Sequence, residues 1–238
     1  MDRQTRKDLK TDKFAEEMVD VFEWTGAHKA LVVRYGSLAL AVLIVALGAY
    51  FYMDHQKGVR QQALANALHT AEATVGPDQA PPGGLHFASQ QEKDNALVKA
   101  YTDLAAKYAG SGEGAIAAMA LAADATTKGN FAAAEKQYKA VVDDAPKEFA
   151  SLARLALAQV YESQGKNADA QKLLQDAVNN PTETVSKEQA SIALARILAS
   201  SNKTEALKTL DKLRTSQRVP VSGAASQAYT EIENAGKQ

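Results

Sequence analysis

The chain has 238 residues, of which 46% are hydrophobic and 23% charged, with 27 Lys and Arg against 28 Asp and Glu. That balance offers neither the basic patch that nucleic acid requires nor a polyanionic tail. There is no cysteine, so no disulfide framework holds the fold.

Met1 to Lys13 carries mixed charge and no apolar periodicity. Phe14, Met18, Val21 and Phe22 then recur at helical spacing, with Glu16, Glu17, Asp20 and Glu23 between them. This pattern predicts a short amphipathic helix over 14–24. Its apolar face either lies at a membrane interface or docks a partner through Phe14, Met18 and Phe22. Gly26 breaks the pattern.

From Tyr35 to Met53 there is no charged residue, with Arg34 and Asp54 as bounds. With Ala30 to Val33 the stretch reaches the roughly 20 helical residues that cross a hydrocarbon core. In lipid a lone segment satisfies its backbone hydrogen bonds only as a helix, so 31–53 reads as a transmembrane helix. It lies too far from the N-terminus for a cleaved signal peptide. Tyr35 at one end and Tyr50, Phe51 and Tyr52 at the other suit the headgroup level. Seven Lys and Arg precede Tyr35, and only Lys57 and Arg60 occur between Asp54 and Phe87. This bias keeps residues 1–30 in the cytoplasm and places the larger part of the chain outside it.

Helical periodicity continues past Met53 through Val59, Ala63, Leu64, Ala67, Leu68 and Ala71, predicting an extension over 54–75. Gly76-Pro77 and Pro81-Pro82-Gly83-Gly84 then mark a linker over 76–89. Residues 90–238 are alanine-rich, with 18 Lys and Arg against 18 Asp and Glu. They read as one all-α domain.

That domain is self-similar. Leu121 to Pro146, Leu155 to Pro181 and Ile192 to Leu213 each read as helix, tight turn, helix. Gly129 and Gly165 are 36 residues apart, and Gly165 and Asn202 are 37 apart. These spacings are near the tetratricopeptide period of about 34. In the first unit Leu121, Ala122, Ala134 and Tyr138 form the packing between helices. In the second, Leu157, Ala158, Tyr161, Ala170, Leu174 and Ala177 do so. Leu194, Ala195, Leu198, Leu210 and Leu213 follow in the third. Asn202 is expected to turn the chain in a left-handed conformation, as the glycines do. Asp94 to Tyr108 and Ala224 to Ala235 supply flanking helices, the last capping the stack. The fold class is all-α: one N-terminal transmembrane helix followed by a tetratricopeptide-like α-solenoid of helix hairpins.

Residues 94–237 thus resemble the tetratricopeptide-repeat superfamily. The bulky aromatic usual early in the first helix of each hairpin is missing, its place taken by Ala118 and Arg154. The order of parts is similar to the ancillary subunit of the bacterial Sec translocon. Phe22 to Gly26, His28 to Val32, the apolar run, and Tyr52-Met53-Asp54-His55-Gln56 carry that resemblance. It implies an inner-membrane protein whose repeats face the periplasm and act with translocon subunits, periplasmic chaperones and emerging polypeptides. The longer charged N-terminus and the Pro/Gly linker depart from it.

No His-Glu-x-x-His, phosphate loop or nucleophile elbow occurs, so no enzyme, metal or cofactor is expected. His28, His55, His69 and His86 all precede the repeats and read as solvated. Stacked hairpins instead offer a concave face for a peptide. By register that face holds Ile116, Met119 and Ala123, then Leu155, Gln159 and Glu162, then Ile192 and Arg196. Two other readings stay open: a scaffold of an envelope or division complex, and a regulator acting through its cytoplasmic helix.

Overall fold

Alanine, leucine and charged residues without internal proline favour helix, and helix dominates the chain. The computed structural model describes residues 28–76 and 84–235. The amphipathic segment over 14–24 and Pro77 to Gly83 lie outside the described residues. Two compact units emerge, residues 1–59 and 60–238.

In the first unit the long helix α1, Lys29–Ala71, begins. It spans 43 residues, about 65 Å at 1.5 Å per residue. Its one apolar window has mean hydropathy 2.2, and none of it is buried. Val45 is 70% exposed. By length and composition this helix could cross a membrane.

The second unit takes in the end of α1. Arg60 pairs with Glu113 at 3.2 Å, Ala67 is buried, and Lys93 Nζ donates to the Ala73 carbonyl at 2.7 Å. Helix α1 stops at Ala71, short of the expected Val75. Two short parallel strands follow, β1 (Thr74–Val75) and β2 (His86–Phe87). Two-residue strands leave no periodic trace in sequence. His86 stitches them: its Nε2 lies 2.7 Å from the Gly76 carbonyl and its Nδ1 3.0 Å from the Thr74 hydroxyl. The carbonyl can only accept, so Nε2 carries the hydrogen. His86 is therefore half-buried and structural, where the sequence predicts a solvated ring.

Among the described residues eight further helices follow in this unit: α2 (Gln90–Lys107), α3 (Gly112–Thr127), α4 (Phe131–Asp144), α5 (Lys147–Ser163), α6 (Asn167–Asn179), α7 (Lys187–Leu198), α8 (Lys203–Arg214) and α9 (Val219–Asn234). Each packs on the next. The pairs α3–α5, α5–α7 and α7–α9 also touch, so the first helices of successive hairpins form one layer. Ala117, Ala122, Ala134, Ala153, Ala158 and Ala170 are all fully buried. Such small side chains let helix axes approach closely, while Tyr138, Leu157, Tyr161 and Leu174 fill the remaining gaps. A second cluster around Leu210, Ala225 and Ile232 closes the far end. Helix α9 starts at Val219, five residues before the expected Ala224. Pro220 lies in its first turn, where no intrahelical donor is needed.

The turns separate two jobs. Gly129 and Gly165 both have φ +73°, the left-handed region that an L side chain resists. Asn202 does not follow them. Its φ is −146°, and its side chain accepts from the Glu205 N–H as the N-cap of α8. The expectation of a left-handed Asn202 fails because its equivalent is Asn130, the N-cap of α4, and not Gly129. Residues 130, 166 and 202 start α4, α6 and α8 at a constant step of 36. One further close approach shapes the first hairpin. A Cβ on Gly114 would overlap the Tyr108 carbonyl, so only glycine fits there.

Candidate interaction face

Helix α5 presents the clearest stripe. Residues 155, 159 and 162 are spaced four and three apart, so they share one side of the helix. Gln159 and Glu162 are exposed, whereas Leu155 is half-buried and packs against two core clusters. On α3, Ala123 is exposed and Ile116 and Met119 are half-buried, with Met119 against the core. On α7, Arg196 is exposed but Ile192 is only 8% exposed and belongs to the last core cluster. Ile192 therefore packs α7 against its neighbours and presents little surface. The face is apolar along α3 and becomes polar through α5 to α7.

Glu162 and Arg196 are brought together. They line one cleft of about 510 Å³ with Ser200, Lys203, Glu231 and Ile232. Arg196 Nη2 lies 3.1 Å from Glu231 Oε2, and Lys203 Nζ donates to the Glu233 carbonyl at 3.2 Å. Glu231 escapes the sequence reading because α9 is read there only as a cap, and Lys203 because it opens α8, the second helix of its hairpin, whereas the face is sought on first helices. The four-residue step from Gln227 to Glu231, which hydrogen bond at 2.9 Å, is the signal that marks the side of α9 on which Glu231 lies.

Behind this face an ion network ties the first two hairpins. Glu135 of α4 accepts from Lys166 at 2.9 Å, Lys139 at 3.5 Å and the Tyr161 hydroxyl at 3.4 Å. The Lys166 hydrogen bond, above all, holds the Glu135 carboxyl below the usual carboxylate range. A second device pins the longer α6–α7 connection. The buried Ser151 hydroxyl lies 2.9 Å from those of both Thr182 and Thr184. These contacts tie α4 to α5 and α6, and α5 to the α6–α7 connection.

A family model described as a tetratricopeptide repeat-like domain matches residues 29–180, and again residues 144–218. The first match alone covers more than half of the chain. The protein belongs to the tetratricopeptide repeat-like domain family. The match begins at residue 29, so it takes in α1 together with the first hairpins. Neither a curated protein nor a solved structure matches the chain. Tetratricopeptide-like domains are typically non-catalytic modules for protein–protein interaction, which makes other proteins the partners of this repeat-like domain.

Proposed function

We propose that the protein tethers a peptide-binding repeat domain to the bacterial cytoplasmic membrane, beside the Sec translocon. In this reading residues 31–53 span the bilayer, residues 1–30 stay in the cytoplasm, and the repeats act in the periplasm. Periplasmic chaperones and polypeptides emerging from the translocon are the partners. The observation that carries the reading is α1. An apolar helix with none of its window buried is continuous in sequence with an interaction domain, and one family match covers both. The charge asymmetry around the span supports the orientation. The resemblance in the flanks of the span supports the translocon.

The face formed by Ile116, Met119, Ala123, Leu155, Gln159, Glu162 and Arg196 is the docking surface in this reading. Its apolar part tolerates changes of sequence in the bound segment, as a general export client demands. A photocrosslinker placed at Ala123 or Gln159 in membranes tests it. Recovery of translocon subunits, chaperones or nascent chains is expected. Recovery of none of them overturns the reading, as does protection of the repeats from protease in spheroplasts.

A further inference from the structure

The outer side of the repeats carries two grooves that occupy the same place in successive hairpins. The first is about 200 Å³ and lies among α2, α3 and α4. The second is about 500 Å³ and lies among α4, α5 and α6. A step of 36 residues converts one lining into the other. Ala109 of the first becomes Ala145 of the second, Gly114 becomes Ala150, Ala118 becomes Arg154 and Ala140 becomes Asp176. Ala145 also borders the first groove, so the two are contiguous.

Equal positions carry unequal chemistry. The first groove is small and apolar where Ala118 stands. In the second, Arg154 stands in that place, only 26% exposed. Its nearest acid is Asp176, with Nε to Oδ2 at 3.8 Å, beyond hydrogen-bond reach. Asn180 Nδ2 donates to the other oxygen of Asp176, Oδ1, at 2.9 Å and holds that carboxylate on the α6 side of the groove. Lys147 lines the same groove and has no ion-pair partner among the described residues. A half-buried guanidinium whose five donors lack a well-placed acceptor, beside a second cation, is a receptor for a carboxylate.

We propose that this outer face binds an acidic partner segment. One aliphatic side chain seats in the first groove, and a carboxylate two to four residues away meets Arg154 and Lys147 in the second. The site shares no residue with the face of α3, α5 and α7 used above, so the two surfaces can hold different partners. The occupant is a peptide and not a free anion because an apolar seat adjoins the cationic one.

The test uses the full-length protein in detergent micelles and three fluorescein-labelled peptides. The first alternates Leu and Glu over 14 residues, the second replaces Glu by Gln, and the third replaces Glu by Lys. The Glu peptide should bind about tenfold or more tightly than the Gln peptide, and its binding should weaken with salt. Arg154→Glu should remove that preference, and Arg154→Glu with Lys147→Glu should transfer it to the Lys peptide. Arg154→Gln is the milder variant should the charge reversal unfold the chain, and it too should abolish the Glu preference. Ala118→Leu should weaken both the Glu and Gln peptides without changing their ratio. Equal binding of the Glu and Gln peptides, no binding of the Glu peptide, or indifference to both Arg154 variants overturns the proposal. None of these outcomes touches the photocrosslinking at Ala123 and Gln159.

Discussion

Helix α1 and the repeats use the same aliphatic residues with opposite results. Between Tyr35 and Met53 every apolar side chain is exposed, whereas among the repeats Leu157, Leu174 and Leu210 are almost wholly buried. The difference lies in neighbours. The repeats supply each helix with two or more packing partners at a step of 36 residues, whereas among the described residues no helix covers the apolar stretch of α1. Hydrophobicity alone therefore does not assign a helix to a core. The availability of an internal partner does, and by length and composition the stretch of α1 without one could cross a membrane.

The sharpest break of this contrast is a matched pair of truncations. Leu157→Ala should cost about 2–5 kcal/mol, read as a lowered Tm, because it leaves a cavity in a dense core. Leu43→Ala, on the exposed stretch of α1, should leave the Tm of the repeats unchanged. A similar loss for both would erase the distinction. A charge probes the exposed site: Leu43→Arg should oppose membrane insertion by about 2.5–3.5 kcal/mol, seen as increased extraction at alkaline pH.

Smaller effects separate the turns from one another. Gly165→Ala forces an L side chain into φ +73° and should cost about 1–2 kcal/mol of repeat stability. Asn202→Gly should cost only a few tenths of a kcal/mol, since that residue is a cap with negative φ. The reverse order of the two melting temperatures would restore Asn202 to the left-handed role. The least effect is at Glu135. Its folded carboxyl titrates below the usual range, so its stabilising contribution is present above the unfolded carboxylate pKa of about 4.3. That contribution is lost as pH falls through the folded value. Glu135→Gln should therefore lower stability by about 0.2–1 kcal/mol at neutral pH and by nothing in strong acid. A difference that persists in acid would show that the pair with Lys166 is not its source.

Helical register alone is what groups the candidate residues along the chain. Residues 155, 159 and 162 follow from helical spacing, and the exposure of Gln159 and Glu162 agrees with it. Ile192 did not obey the same rule. The residues that bury it come from α8 and α9, far along the chain, and spacing within α7 carries no trace of them. Glu231 was missed for the same reason, since its relation to Arg196 exists only across the α7–α9 contact.

The sequence by itself determined the apolar span, the all-α hairpin class and the near-constant repeat. These depend on local composition and on the period of one helix, and both are written residue by residue. Only the tertiary structure decided that the end of α1 joins the compact unit of the repeats from Arg60 on, because that grouping rests on contacts such as Arg60 with Glu113. It alone turned Asn202 from a turn residue into a cap, because φ is a property of the folded backbone. It alone set Ala118 and Arg154 at the same place in two neighbouring grooves, because a groove is made by helices that the chain brings together from a distance.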